Sequence, residues 1–302
     1  ASLSMPSTTF RSRPPVLIKI KKYIAGGAVY FFLALMAFIV LFPFWIALVT
    51  SFKLPAESLS LDFTWWPETF TLNGYIDVFT YVGGNTVQTP LIILGFINTM
   101  WMYLPRAVIA TVLAGMAGFA YAKLRFRAKN AMFGFLMATM MLPGVITLVP
   151  SYLLFYYYDW LNTPLPVIMP GLLGGVSAVF FLKQYYAGVP SDMMDAASVD
   201  GLGFFGIYFR IMLPIAMPAF WAQFVLAFVT GYNEYLGPML YLKSASLLTL
   251  QLALQQFASS RQYSDPGAVM AGTLIAIVPT VALFVFAQRY FISGIVTSGL
   301  KL

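Results

Sequence analysis

Six apolar runs separated by polar intervals dominate this 302-residue chain. Each run is long enough for a helix that crosses a bilayer, which needs about 20 apolar residues. Short alternating segments, which are typical of a transmembrane β-barrel, do not explain runs of this length. The pattern therefore predicts an all-α integral membrane protein with six transmembrane helices, near residues 23–50, 91–122, 131–154, 165–186, 213–236 and 269–291.

The segment before the first apolar run is polar and basic. It contains no acidic residue, and its basic residues are Arg11, Arg13, Lys19, Lys21 and Lys22. The run that follows is too long for the apolar core of a signal peptide and lacks an A-x-A cleavage site, so we expect an uncleaved first span. Because basic residues favour the cytoplasmic side, residues 1–22 are predicted to be a cytoplasmic N-terminal segment and 23–302 the transmembrane domain.

The remaining basic residues indicate the same orientation. With six spans, both termini are cytoplasmic, and the basic cluster at residues 123–129 then lies on the cytoplasmic side. Of the 17 basic residues in the chain, the predicted outer loops hold only Lys53, Lys243 and Arg261. This bias follows the positive-inside rule. It places the polar interval 187–213, between the fourth and fifth spans, in the cytoplasm.

The interval 187–213 carries the signals of two short helices. Ser191 is a suitable N-cap, and Asp195 lies near the positive end of the helix that follows it. Gly201 is a typical C-terminal stop. A second short helix is predicted before Pro214 starts the fifth span, with one apolar face formed by Phe204, Ile207, Tyr208 and Ile211. We expect an elbow of two helices at the membrane surface.

Composition excludes several classes of function. The chain is 60% hydrophobic and 9% charged, and it has neither cysteine nor histidine. Thiol nucleophiles, histidine bases and histidine-based metal sites are therefore excluded, and we predict no metal site and no catalytic residue. The net charge of +7 is explained by the membrane topology, so no nucleic-acid partner is predicted.

The chain also lacks a nucleotide-binding motif. No GxxxxGK[ST] loop is present, and the GxGxxG match at residues 201–206 follows a predicted helix where a dinucleotide site requires a strand. If ATP drives transport, another chain must hydrolyse it, and no cofactor is predicted here. The two halves show no inverted repeat, which disfavours a stand-alone secondary carrier. That carrier is kept as an alternative.

Two polar features near the predicted spans are candidates for a solute path. Arg106 is central if the second span begins near residue 90, and it lies in the outer third if the span begins near residue 98. Ionisable residues inside spans often mark substrate pathways, so we hypothesise that Arg106 faces the solute and favours an anionic one. Near the outer end of the fifth span, Tyr232, Asn233 and Glu234 form either a helix-end polar cluster or a further solute contact.

The elbow carries the most specific pattern in the chain. It contains Asp195-Ala196-Ala197-Ser198-Val199-Asp200-Gly201, followed by Ile211-Met212-Leu213-Pro214. This resembles the EAA loop of the membrane subunits of bacterial ABC importers, which has the form E-A-A-x-x-x-G with an I-x-L-P ending. Asp195 stands where that family has the longer Glu, so no ion pair is carried over to this position.

The resemblance implies a type I ABC importer fold in which the elbow, 187–213, contains a cytoplasmic coupling helix. By this resemblance, the residues that couple the subunit to an ATPase are Asp195, Ala196, Ala197, Asp200, Gly201, Leu213 and Pro214. Three further stretches are similar to the sugar-importer branch, specifically to its maltose-permease-like second subunit. They are Trp66 to Tyr75, Tyr232 to Tyr235, and the tail from Gln288 to Lys301.

The resemblance also implies a substrate class and a set of partners. The aromatic content and the overall sequence look most like permeases of alginate-type importers, which implies an oligo- or polysaccharide, with an acidic, alginate-like one as the narrower expectation. The expected partners are a second permease in a heterodimer, two ATPase subunits that bind ATP and Mg²⁺, and a periplasmic substrate-binding protein, in a bacterial inner membrane. A permease for a non-sugar solute is the second alternative.

Overall fold

The computed structural model describes residues 16–62, 64–83, 87–261 and 264–299, and these residues form helices and connecting segments without a strand. Arg11 and Arg13 of the predicted N-terminal segment, and Leu300 and Lys301 of the tail, lie outside the described residues. The helices are α1 Val16–Thr50, α2 Pro55–Ser58, α3 Asn73–Thr80, α4 Leu91–Lys123, α5 Lys129–Thr139, α6 Gly144–Tyr157, α7 Leu165–Leu172, α8 Val176–Ala187, α9 Asp192–Val199, α10 Phe204–Ile207, α11 Leu213–Tyr232, α12 Leu236–Tyr241, α13 Leu250–Arg261 and α14 Pro266–Gly299.

Five helical stretches in the described chain are long and apolar enough to cross a membrane, and one of them joins α7 and α8 across a short break. They are Gly27–Thr50, Leu91–Lys123, Leu165–Ala187, Phe204–Tyr232 and Pro266–Gln288. The pair α5 and α6 makes a sixth if the two helices count as one broken span. The predicted all-α membrane fold is therefore confirmed, with five apolar spans, or the predicted six if the bent pair is one span.

The third predicted span, 131–154, is not one straight helix. α5 and α6 meet at an angle of 92°. Pro143, at the N-cap of α6, has no backbone N–H, and its ring would clash with the carbonyl of a preceding helical turn. The residue before a proline is also pushed out of the helical region, so α5 ends at Thr139 and the chain turns before α6 begins.

The fifth span starts earlier than the sequence predicted. A π-helical turn, Tyr208–Met212, joins α10 to α11, so that the helix runs from Phe204 to Tyr232 instead of from 213 to 236. Pro214 does not start a separate helix, because the wider turn changes the hydrogen-bond register just before it. The backbone N–H of Leu213 donates to Tyr208 O, and a π turn of this kind accommodates residues that would break an α-helix.

α4 is the central element of the molecule. It packs along α8 and also contacts α7, α11 and α13. α4 and α8 approach closely because Gly118 of α4 faces the backbone of α8. A Cβ on Gly118 would lie 2.8 Å from the backbone nitrogen of Lys183. By contrast, α1 is largely exposed and apolar, and it packs mainly on α14. The cavity described below lies between α4 and three of its neighbours, α7, α8 and α11.

Candidate functional site

The elbow is built around the eight-residue helix α9. Asp192 and Asp195 lie in its first turn, where the positive end of the helix dipole favours carboxylates. Ser191 occupies the N-cap position, although its side chain makes no capping hydrogen bond. The helix ends before Gly201, whose φ of +82° lies in the left-handed region that glycine adopts without a steric penalty.

The elbow has an inner and an outer face. Ala197 is 4% exposed and belongs to an apolar cluster that includes Ile207, Tyr208 and Met212, so it anchors α9 to the body of the protein. The other coupling candidates of the loop are at the surface, namely Asp195, Ala196, Asp200 and Gly201. At the base of α11, Leu213 is partly buried against the same cluster, whereas Pro214 is exposed.

The outer face of the elbow is unusually apolar. Val199 is 88% exposed, and Phe204 and Phe205 are also well exposed. Large exposed apolar side chains mark interaction surfaces in many proteins where they lie together. The elbow therefore presents carboxylates and apolar side chains together on the side that faces away from the protein body.

A second candidate site is a cavity of about 520 Å³ between α4, α7, α8 and α11. Its polar lining residues are Tyr103, Arg106, Thr111, Ser177, Gln223, Thr230 and Glu234, and small or apolar residues complete the wall. Arg106 and Glu234 are the only two described charged residues in this lining. The cavity therefore combines hydroxyl and amide groups with one cation and one anion.

Arg106 lies near the middle of α4, which agrees with the central of its two predicted positions. Its Nη1 donates to Val167 O at 2.8 Å and lies 3.5 Å from Glu234 Oε2. The Tyr103 hydroxyl donates to the same carboxylate oxygen at 3.4 Å, and the guanidinium carbon is 5.4 Å from the Tyr103 ring centroid. These contacts connect α4 to α7 and to the residues that follow α11.

Glycines make room for both charged side chains. A Cβ on Gly171 would lie 1.8 Å from Arg106 Nε, and a Cβ on Gly237 would lie 2.6 Å from Glu234 Oε1. Gly231 likewise leaves space for the buried ring of Tyr103, because a Cβ on Gly231 would lie 2.4 Å from Tyr103 Cδ1. The positions of these two charges therefore depend on the absence of neighbouring side chains.

The other residues of the predicted polar cluster face elsewhere. Tyr232 is buried, and its hydroxyl donates to Ala276 O of α14 at 2.7 Å. Asn233, the C-cap residue of α11, is exposed and donates to Val229 O in the last turn of that helix. Only Glu234 lines the cavity. Near it, burial raises the pKa of the Tyr241 phenol, and the negative charge of Glu234 raises that pKa further.

Sequence reasoning missed most of the cavity wall. Thr111, Ser177, Gln223 and Thr230 are single polar residues within apolar helices, and nothing in the local sequence distinguishes them. A weak signal exists on α4, where Tyr103, Arg106, Ala107 and Ala110 recur at helical spacing and share one face. The assembly of that face with Glu234 depends on tertiary packing.

Comparison with known proteins places this architecture in a family. The family described as "Binding-protein-dependent transport system inner membrane component" matches residues 107–296. The chain belongs to this family. It is 33% identical to the arabinooligosaccharides transport system permease protein AraQ of Halalkalibacterium halodurans over 270 residues, which cover 89% of this chain and 94% of AraQ.

Two further similarities support the assignment. The chain is 28% identical over 259 residues to the sn-glycerol-3-phosphate transport system permease protein UgpE of Rhizobium meliloti, covering 85% of this chain and 91% of UgpE. Its fold matches a chain in the crystal structure of a bacterial ABC transporter involved in the import of the acidic polysaccharide alginate, with a TM-score of 0.74 and 20% identity. That match covers 94% of this chain and all of the other. The predicted membership among permease subunits of sugar ABC importers is confirmed.

Proposed function

We propose that this permease forms half of the translocation path for an oligo- or polysaccharide. The supporting observation is the cavity of about 520 Å³, whose hydroxyl and amide groups suit the hydroxyl groups of a sugar. The similar AraQ is named for arabinooligosaccharides, and the similar fold belongs to an importer of alginate. UgpE is named for sn-glycerol-3-phosphate, so an anionic non-sugar solute is the second candidate.

The proposed assembly contains a second, different permease, two ATPase subunits that bind ATP and Mg²⁺, and a periplasmic substrate-binding protein. The family name already includes a binding protein. The exposed apolar surfaces of α1 and α6, which include Phe31, Tyr30 and Val145, are suited to lipid and to a partner permease. The chain has no phosphate-binding loop, so ATP hydrolysis is assigned to the partners.

The proposed coupling element is α9 with the residues around it. Its outer face would dock on an ATPase subunit through Asp195, Ala196 and Asp200, and Ala197 would attach it to the transmembrane body. Because the π turn continues into α11, closure of the ATPases would tilt this span and change access to the cavity. In this proposal both termini and the elbow are cytoplasmic, in a bacterial inner membrane.

Reconstitution tests this assignment against a stand-alone carrier. The full complex in liposomes is expected to take up saccharide only with ATP and the loaded binding protein, whereas the purified permease alone should neither transport nor hydrolyse ATP. Transport by the chain alone, without ATP, would favour the secondary carrier. Uptake of glycerol 3-phosphate with no uptake of any saccharide would favour the non-sugar importer.

A pair of substitutions at Gly201 tests the role of the elbow. Apart from its two chain neighbours, no described residue has an atom within 4 Å of a Cβ built at this position, so the effect of a side chain is set by its backbone preference and its charge. Gly201→Asn should retain coupled uptake, because asparagine tolerates the left-handed conformation. Gly201→Asp adds a negative charge beside Asp200 and should reduce coupled uptake at least about threefold, with normal amounts of permease in the membrane. Equal uptake by the two variants would argue against docking at this loop.

A further inference from the structure

The pair formed by Arg106 and Glu234 is loose. The 3.5 Å between Arg106 Nη1 and Glu234 Oε2 lies at the limit of a hydrogen bond, whereas charge-assisted pairs of this type are normally shorter than 3 Å. The Tyr103 hydroxyl is also at a long distance, 3.4 Å, from the same oxygen. The carboxylate is thus held near the guanidinium without an optimal contact.

Arg106 has unused hydrogen-bonding capacity. Its Nη1 is engaged with Val167 O and Glu234, but its Nε and Nη2 donate to no described residue. A guanidinium presents its donors as a planar fork that matches a carboxylate with two parallel hydrogen bonds. Gly171 packs against the Nε and Nη2 side of this fork and has no side chain of its own there. The Arg106 side chain lines the cavity and is 25% exposed. The group is therefore suited to a better carboxylate partner than the one it has.

Glu234 can leave Arg106 without losing every partner. Tyr103 would remain as a hydroxyl donor to its carboxylate. The side chain of Glu234 is 39% exposed, so water solvates it in part, and Gly237 leaves space beside Oε1. The cost of separating the two charges is consequently smaller than for a fully buried pair.

We propose that Arg106 determines specificity for an acidic sugar, and that Glu234 is an exchangeable counter-ion that the sugar carboxylate replaces on the guanidinium. The inference rests on the proposed saccharide path and assigns the recognition of the acidic group to one side chain. Neutral hydroxyl groups would be bound by the polar wall, which includes Ser177, Gln223 and Thr230. The carboxylate of an acidic sugar would form two parallel hydrogen bonds with Arg106. A neutral sugar has no carboxylate, so the Arg106–Glu234 pair would stay intact.

The two glycines beside the charges provide the sharpest test. In Gly171→Ala the three atoms nearest to the added methyl group all belong to the flexible end of Arg106, so the protein should fold and the guanidinium should be displaced. In Gly237→Ala the methyl group displaces the Glu234 carboxylate instead. The two changes are chemically identical and move opposite members of the pair. Arg106→Gln and Glu234→Gln remove the same charges directly.

Binding should be measured on the purified permease–ATPase complex in nanodiscs, without the binding protein. The probes are a radiolabelled mannuronate trimer and the same trimer with its carboxyl groups reduced to alcohols. Gly171→Ala and Arg106→Gln should weaken binding of the acidic trimer at least about tenfold, the loss expected for a charge-assisted contact. The reduced trimer should change less than about twofold. Glu234→Gln and Gly237→Ala should tighten binding of the acidic trimer.

Arg261→Gln is the matched control. It breaks another arginine–carboxylate pair, the 3.3 Å contact between Arg261 Nη2 and Asp77 Oδ2, outside the cavity, and should alter binding of neither trimer. Equal losses for both trimers in Gly171→Ala, or unchanged binding of the acidic trimer in Arg106→Gln, would overturn the inference. Failure of the wild-type complex to bind the acidic trimer would also overturn it. Saccharide uptake by that complex in liposomes would still support the proposed function.

Discussion

The elbow and the cavity are built in opposite ways. Every coupling candidate of the elbow lies within residues 195–214, and the geometry depends on one short helix and one left-handed glycine. The charged pair of the cavity joins Arg106 to Glu234, which are 128 residues apart, and a third segment contributes the carbonyl of Val167. A local site leaves a pattern in the sequence, whereas a site assembled by packing does not.

The two regions also differ in how their polar groups are supported. In the elbow, one buried residue, Ala197, holds a helix whose other functional candidates are at the surface. In the cavity, each charged group is placed by its hydrogen-bond partners and by a glycine that gives it space. We therefore expect the elbow to fail when its anchor is lost, and the cavity to fail when its spacing changes.

The largest effect is expected from Ala197→Asp. Ala197 is buried in the apolar cluster that contains Ile207, Tyr208 and Met212. Burying a charge among apolar side chains costs about 3 kcal/mol or more. α9 should detach from the body, and co-purification of the ATPase with the permease should be lost. Limited proteolysis should show new cleavage within residues 187–213.

Ser198→Asp is the control for this change. It adds the same charge at the next position of the same helix, where the side chain is exposed. Surface substitutions of this kind usually alter stability by less than about 0.5 kcal/mol, so the ATPase should still co-purify. If Ser198→Asp releases the ATPase as completely as Ala197→Asp, charge at the elbow matters and its anchoring does not.

A smaller effect on stability is expected from Gly231→Ala in the cavity wall. The added methyl group would collide with the Tyr103 ring, which is fully buried and cannot swing away like a flexible side chain. Overpacking of this kind costs about 1–3 kcal/mol, so the thermal unfolding temperature of the purified complex should fall by a few degrees. Gly171→Ala, whose methyl group would lie nearest to the flexible guanidinium of Arg106, is the matched control. An equal loss in both variants would show that the cavity does not distinguish rigid from flexible neighbours.

Local features of the fold could be predicted from the sequence, whereas features that depend on packing between helices could not. The lengths of the apolar runs predicted a helical membrane protein, because the thickness of a bilayer sets a length that the sequence must satisfy. The same runs did not reveal the 92° bend between α5 and α6 or the π turn before Leu213. Pro143 and Pro214 mark both places, but only the surrounding packing decides whether a proline ends a helix or is accommodated within it.

The candidate site shows the limit most clearly at Tyr232, Asn233 and Glu234. These neighbours share a helix end in the sequence, yet they point toward α14, the protein surface and the cavity, respectively. Only Tyr232 belongs to α11, and the chain leaves the helix at its C-cap, Asn233, so the three side chains do not continue one helical face. Sequence alone indicated that polar groups gather there, and packing against α4 and α14 determined which of them meets Arg106.

The smallest predicted effect separates Tyr232 from the solute path. Tyr232→Phe removes only the hydrogen bond to Ala276 O, so the complex should lose about 1 kcal/mol of stability. KM and maximal rate of saccharide uptake should match the wild type, because the hydroxyl faces α14 and not the cavity. Tyr103→Phe removes the corresponding hydroxyl on the cavity side, next to Glu234, and should change the KM for an acidic saccharide. A raised KM in Tyr232→Phe, at normal permease levels, would mean that the solute reaches the far side of α11 and that the cavity is only part of the path.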